Sequence, residues 1–471
     1  MKILKEAEVK FLLEQVTPMI HFQGGEKGAG IRGSDLKPRF DAFLSKYKGA
    51  TLKEYSLPVN NDGKEDTNIG LAFDYKVKIK NTDCNNLNSN YEKIDFGAFF
   101  GKNNNFKISF YKSIEIAFIS PHKVLREKIK EYFPIFIAVN NFGFRNNKGY
   151  GHFKIKNTKD EDIIEAIKKY KCLEDIYLKI KKLKIKKLEI KKLKIKNLKI
   201  KNDSKCNGRA IGIYKIEVKK WNKDRKDVIK NILDEVKLFH QILKSGYNQG
   251  NNYIPSIMLK KSKKLIPNED ISFEKKAFKL FLKNSGYDIP KSAKNGDIKS
   301  TDNFEKIKDK IYYVRGLLGL SPFYEFKLSK DKELKSKDKE LKFKVENVEN
   351  KKIKNIKIKR FKSPITYIPI PNEQSFIIIV NYGKIQMFRE RANNVDFFIK
   401  GNNISGKFSA IIPNEKEYSI HNIFKKNGVI DSFLKKCNID KKDSDKTLDS
   451  IMNIKENWFY KDLQDTEVDK K

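Results

Sequence analysis

A chain of 471 residues in which 39% of side chains are hydrophobic has material for two to four domain cores, so a globular, multidomain protein is the starting point. Its 100 Lys and Arg against 60 Asp and Glu leave a net charge of +40, a balance that suits a polyanionic partner held through phosphate contacts. Cys84, Cys172, Cys206 and Cys437 form no C-x-x-C pair and no apolar run approaches the roughly 20 residues of a membrane span, so no metal, cofactor, disulfide framework or membrane contact is expected, and the expected location is cytoplasmic.

The chain opens with a strand over residues 9 to 20, with Val9, Phe11 and Leu13 on one face and Thr17-Pro18 where regular pairing stops. After a loop carrying Gly24, Gly25, Gly28 and Gly30, the residues Leu36, Phe40, Phe43, Leu44 and Tyr47 recur at helical spacing, with Ser34 and Asp35 as start signals. Residues 69 to 80 and 106 to 119 alternate as strands do. Residues 122 to 131 read as a short helix after Pro121, and the apolar run 135 to 140 as a central strand. Strands and helices therefore mix in the β-α-β manner of a ferredoxin-like domain over residues 1–160.

Five pentads of the Leu-Lys-Ile-Lys-Lys type run from Leu178 to Asn202, with apolar spacing that matches neither a helix stripe nor sustained strand alternation. They place a helical and low-complexity basic insert at residues 161–210: either an arm lying on RNA or a repeat expansion in a tolerant loop, the latter being preferred. A second α+β domain is expected over 211–471. Its clearest features are a helix from about Asp227 to Lys244 closed by Gly246, and strands over 365 to 370 and 376 to 382. Residues 429 to 436 and 447 to 462 look helical, and a charged insert at about 327–360 interrupts the domain. The two lysine-rich stretches carry +11 and +8, so the rest of the chain keeps +21 and the nucleic-acid inference survives them.

The segment Asn141-Phe142-Gly143-Phe144-Arg145-Asn146-Asn147-Lys148-Gly149-Tyr150-Gly151-His152-Phe153 combines three glycines with two cations and several rings. Flexible backbone with Arg145 and Lys148 suits phosphate, and Phe142, Phe144 and Tyr150 offer surfaces for unpaired bases. The alternative is a hairpin whose aromatics are core, and local chemistry alone does not choose between them.

The segment resembles the G-x-G-x-R-x-x-K-G-[FY]-G glycine-rich loop of the repeat-associated mysterious protein (RAMP) superfamily of CRISPR-associated proteins, with Asn141 at the first glycine position. Ile31-Arg32-Gly33-Ser34-Asp35-Leu36-Lys37-Pro38 is similar to that superfamily's second hallmark, a turn entering the first helix. With Thr17-Pro18-Met19-Ile20, the chain most resembles the first, non-catalytic subunit of type III-B effector complexes, although Asp35 and Pro38 replace the usual Ser and Gly. The resemblance implies an α+β fold of tandem ferredoxin-like (RRM-like) domains with lysine-rich inserts, other CRISPR effector subunits as partners, and guide or target RNA as ligand in antiviral defence. It carries an RNA-binding role to Arg32, Ser34, Lys37, Gly143, Arg145, Lys148, Gly149, Tyr150 and Gly151. Arg315, Arg360 and Lys362 are candidates for a second RNA-contacting surface, beside Tyr312, Val314, Leu317 and Leu318, which are expected to be core.

Members of this superfamily that process precursor guide RNA use metal-independent acid-base chemistry, often through histidine. The candidates for such an endoribonuclease are His21 and His152, while His122 and His240 look ordinary. Members that cut target RNA use an aspartate in the loop after the first strand. Residues 23 to 30 contain no Asp and only Glu26, which argues against target slicing.

Overall fold

A computed structural model of the chain describes residues 7–20, 30–57, 72–81, 108–109, 113–193, 210–218, 225–249, 252–254, 256–259, 303–319, 323–327, 340–347, 362–391, 394–400, 405–414, 418–424 and 458–462, with a few positions between 272 and 284. The predicted first strand is β1 (Glu8–Gln15), in which Val9 and Leu13 are buried and Lys10 is exposed. Thr17 and Pro18 separate it from the two-residue β2 (Met19–Ile20). The predicted stripe becomes α1 (Gly33–Leu52), burying Leu36, Phe40, Phe43 and Leu44. Ser34 does not start the helix as expected. The cap is Arg32, in extended backbone and without a side-chain cap bond, so Ser34 already lies in the first turn.

Next come β3 (Lys76–Asn81), β4 (Ile108–Ser109), β5 (Ile114–Ile119), α2 (Lys123–Val139) and β6 (Phe153–Ile155). The expected central strand at 135 to 140 is instead the second half of α2, which continues through Pro134. A helix-interior proline forfeits a backbone hydrogen bond and costs about 3 kcal/mol. Here Ile135, Phe136, Ile137, Ala138 and Val139 are all buried, and apolar burial of that extent outweighs the loss. A run apolar on every side has no period, which is why it was mistaken for a strand.

The sheet order is β3-β5-β1-β6, with each neighbouring pair antiparallel. Strand, helix, two strands, helix, strand in that spatial order is the ferredoxin-like arrangement. Its core is aromatic: the Phe40 ring lies 5.6 Å from Phe118, 5.4 Å from Phe133 and 5.1 Å from Phe136, near the spacing at which tilted and edge-to-face rings attract. Asp160–Leu193 then forms the 34-residue α3, so the first pentads are helical despite their irregular spacing. Residues 194–209 lie outside the described residues.

The remaining strands and longer helices are β7 (Ile211–Val218), α4 (Arg225–His240), β8 (Tyr247–Gln249), β9 (Asn252–Ile254), β10 (Ser272–Phe273), β11 (Ile311–Tyr312), β12 (Phe323–Lys327), β13 (Glu340–Asn347), β14 (Ile365–Ile370), β15 (Ser375–Asn381), α5 (Tyr382–Arg391), β16 (Asn394–Lys400), β17 (Ser405–Ile411) and β18 (Trp458–Asp462). A second four-stranded sheet has the order β14-β15-β7-β18. Numbered by its own strands this repeats the order of the first sheet, with α4 after its first strand and α5 after its third. The tandem ferredoxin-like expectation is thus met, with the second copy assembled from dispersed segments.

What interrupts it is substantial. The segments between β7 and β14 and between β15 and β18 supply a six-stranded sheet, β10-β11-β17-β16-β13-β12. Strand β13 falls within the charged stretch expected at 327–360 to be a mere insert, and it pairs antiparallel with both β12 and β16. Leu341, Phe343 and Val345 alternate there at strand period, a signal hidden by the lysines between them. Residues 458–462, expected to be helical, form β18 against β7. The expected helices at 429 to 436 and 447 to 457 lie outside the described residues.

The chain divides into two compact units that cross the sequence boundaries drawn at 160 and 211. The first holds residues 1–236, 366–379 and 457–471, and the second 237–365 and 380–456. In the first unit, Ile211, Ile213, Ile368, Ile370, Ile377 and Ile379 join the core that contains Leu13, Phe40 and Phe133. In the second, Val314, Leu317 and Leu318 are buried as expected, but Tyr313 rather than Tyr312 is the fully buried tyrosine.

Candidate nucleic-acid interface

The glycine-rich segment is fastened by its backbone before any side chain contributes. Gly151 N donates to Pro18 O at 2.9 Å, Phe144 N to Ile20 O at 2.8 Å and Phe142 N to Gly151 O at 2.8 Å. These approaches demand glycine at two places. At Gly151 (φ +68) a Cβ would stand 2.0 Å from Phe142 O, and at Gly143 (φ +76) it would meet Ile20 O at 2.7 Å. Thr17 closes the clamp: its hydroxyl donates to Gly149 O at 2.6 Å and accepts from His152 N at 2.9 Å.

Asn141 fixes the other side. Its Nδ2 donates to the carbonyls of Asn146 and Tyr367, and these two acceptors set the amide's orientation, so its Oδ1 faces His152 Nδ1 at 2.9 Å. The proton of His152 is therefore on Nδ1, and Nε2 is buried without a hydrogen-bond partner. His152 is fully buried, and burial, aided by the nearby Lys154 charge, pushes its pKa down to about 3. A group this enclosed and this weakly basic does not exchange protons with a substrate near neutral pH. The structure places His152, the sequence's catalytic candidate, fully buried in the clamp. His21 lies outside the described residues.

The loop's two ends differ in exposure. Gly149, Tyr150 and Gly151 are buried. Gly149 would bring a Cβ to 3.1 Å of Pro369 and 3.5 Å of Leu233, both in the first unit. Tyr150 is 4% exposed and Phe142 fully buried, so neither ring is presented to a base in this conformation, and Gly149, Tyr150 and Gly151, expected to contact RNA, are packed inside. Between them, Gly143 to Lys148 are half-exposed. Arg145 holds a left-handed backbone (φ 55), unusual without glycine, and burial lowers the pKa of its guanidinium while leaving it a cation. Lys148 lies 6.0 Å from the centre of the Tyr367 ring.

At the second hallmark, Arg32 and Ser34 are exposed at the N-terminus of α1, where unpaired amides and the helix dipole favour anions. Lys37 is turned inward instead: Nζ donates to Asp41 at 2.8 Å and to Phe73 O at 2.9 Å, and sits 4.0 Å from the centre of the Tyr75 ring. A phosphate would compete with these partners for the Lys37 ammonium, expected from the sequence to contact RNA.

The residue that joins the two hallmarks is Arg39, which the sequence reading passed over. Its guanidinium donates to Asn140 Oδ1 and Asn141 O, lies 4.5 Å over the Phe142 ring, and stands 3.9 Å from Asp35. The Asp35/Arg39 spacing of four residues on a helix was its only signal in the sequence. Of the other candidates, Arg315 is half-exposed and Lys362 exposed, both in the second unit, while Arg360 lies outside the described residues.

Comparison with known families gives two matches in chain order: the Cmr1 N-terminal domain over residues 6–195 and the Cmr1 C-terminal domain over residues 253–456. The chain belongs to the Cmr1 family. Membership makes it a type III-B CRISPR effector subunit, with other Cmr subunits as its expected neighbours. The N-terminal match contains both hallmarks, β1 to β6 and α1 to α3, so the candidate interface lies wholly within the Cmr1 N-terminal domain. No match to a curated protein was found. Among the described residues, no helix is long and apolar enough to cross a membrane and no cluster of side chains fits a metal ion.

Proposed function

We propose that this Cmr1-family chain binds RNA within a type III-B effector, gripping the ribose-phosphate backbone of guide or target RNA at the crest of the glycine-rich loop and the N-terminus of α1, in the service of antiviral defence in the cytoplasm. The observation that carries this is the clamp. Two glycines, Thr17, Asn141 and His152 hold the loop so that Arg145 and Lys148 stand half-exposed on a backbone that does not need to be ordered on binding. With Phe142 and Tyr150 in the core, the loop contributes mainly charge and backbone amides, with the half-exposed Phe144 its one ring at the surface among the described residues.

The test is equilibrium binding of single-stranded RNA to the full chain across a salt series. Each phosphate contact removed from a single strand lowers the slope of log K against log salt by about 0.7. The double variant Arg145→Gln/Lys148→Gln is expected to lose affinity for all sequences alike and to flatten that slope. An unchanged slope overturns the proposal. The alternative, a metal-independent endoribonuclease acting on precursor guide RNA, has His21 and His152 as its candidates, of which His152 is fully buried. Cleavage of repeat RNA by the pure chain in the presence of a chelator, abolished in His21→Ala, would favour it.

A further inference from the structure

We propose that the outer edge of the first sheet is a second RNA-contacting surface, on which Lys76, Lys78 and Lys80 follow the phosphates of a single strand. This extends the RNA-binding reading above and rests on it. In β3 the three lysines are exposed, and Val77 and Ile79 between them are half-buried toward the helices. Alternate residues of a strand lie about 6.6 Å apart, close to the step between phosphates of an extended single strand.

Charge sorts this face of the sheet. On the inner strand β1, Lys10 is paired with Glu8 at 3.3 Å and with Glu115 at 3.6 Å, and on the opposite edge strand β6 Lys154 is paired with Glu14 at 3.8 Å. At the edge, Lys76, Lys78 and Lys80 have no ion pair or hydrogen bond among the described residues. Glu115 stands directly across from Lys80 in register, yet its carboxylate is turned to Lys10. The partners of Lys76 and Lys78 on β5 are Ile119 and Ala117, which bring no charge. Paired cations on β1 and β6 and uncompensated ones along β3 make a line on this face.

Two further observations select the occupant. The edge lies beside the N-terminus of α1, since a Cβ at Gly33 would stand 4.0 Å from Val77 O, so the lysine line begins where Arg32 and Ser34 are exposed. The residues that share this face, Glu8, Lys10, Leu12 and Glu14 on β1 and Glu115, Ala117 and Ile119 on β5, include no aromatic ring. The base-stacking mode of RNA-recognition motifs is therefore absent from these strands, and what remains recognises phosphate. Lysines on an edge strand also deter pairing with another chain, a role that needs no RNA.

The experiment separates these possibilities with the full chain and labelled single-stranded RNA of two unrelated sequences. In Lys76→Gln/Lys78→Gln/Lys80→Gln the slope of log K against log salt is expected to fall by about 2, equally for both sequences, while the triple Lys→Arg variant keeps it. Each single Lys→Gln variant removes about a third of that change and guards against misfolding of the triple variant. If the wild type binds RNA and the Arg145/Lys148 variant flattens the slope but the edge variants do not, the edge proposal falls and the loop assignment stands. Edge variants that keep full RNA affinity but self-associate, or no longer join their effector partners, would likewise overturn it. A wild-type chain that binds no RNA removes both proposals together.

Discussion

The anchored end of the glycine-rich loop, Gly149 to His152, and its crest, Gly143 to Lys148, are neighbours in sequence held by different physics. The anchored end is buried against Thr17, Pro18, Pro369 and Leu233; at Gly151 the Phe142 backbone is too close for a Cβ, and at Gly149 the backbone is left-handed (φ +88) with the Pro369 side chain close by. The crest is half-exposed and carries the cations. A composition that looks like a single phosphate-binding motif is thus a rigid mount and a presented tip. Substitutions in the mount should damage folding first, and substitutions in the tip should damage binding first.

The strongest way to break the mount is Gly151→Ala. A methyl group 2.0 Å from Phe142 O in left-handed backbone forces the loop apart, and a loss of about 3 kcal/mol or more is expected in chemical denaturation. Asn141→Ala comes next. It strips the Nδ1 proton of His152 and two carbonyls of a shared partner, an expected loss of about 2 to 3 kcal/mol by the same measurement.

Titration probes the mount without changing its shape. His152 has its folded pKa depressed to about 3 from an ordinary 6.5, so its contribution is fully present above about pH 6.5 and is lost as pH falls toward 3. At pH 5 the loss is about 2 kcal/mol, and His152→Gln should lack that part of the pH dependence of Tm. The smallest effect on stability belongs to the tip. Arg145→Gln/Lys148→Gln is expected to shift stability by no more than about 0.5 kcal/mol while weakening RNA binding, and a large stability loss there would erase the distinction between mount and tip.

How much of this was legible follows from which residues carried a period. Val9 and Leu13 on β1, and Leu36, Phe40 and Leu44 on α1, have spacings of two and three to four, and the structure buries them accordingly. Ile135 to Val139 had no period and was misassigned, and β13 had one obscured by lysine. The hallmarks mark the glycine-rich loop and the N-terminus of α1 as the proposed interface. They did not separate Tyr150, in the core, from Arg145 beside it, nor show that Lys37 turns inward while Arg39 spans the gap.

The amino-acid sequence by itself determined the alternation and stripes of each local element, the basic excess and the two RAMP-like hallmarks, because these depend on neighbours within a few residues along the chain. Tertiary structure decided which members of the hallmarks are buried and which are exposed. The burial of Gly149 depends on Pro369 and Leu233, and the orientation of Asn141 on the carbonyl of Tyr367, partners far away in the chain that become neighbours only when the second ferredoxin-like sheet assembles from its dispersed strands.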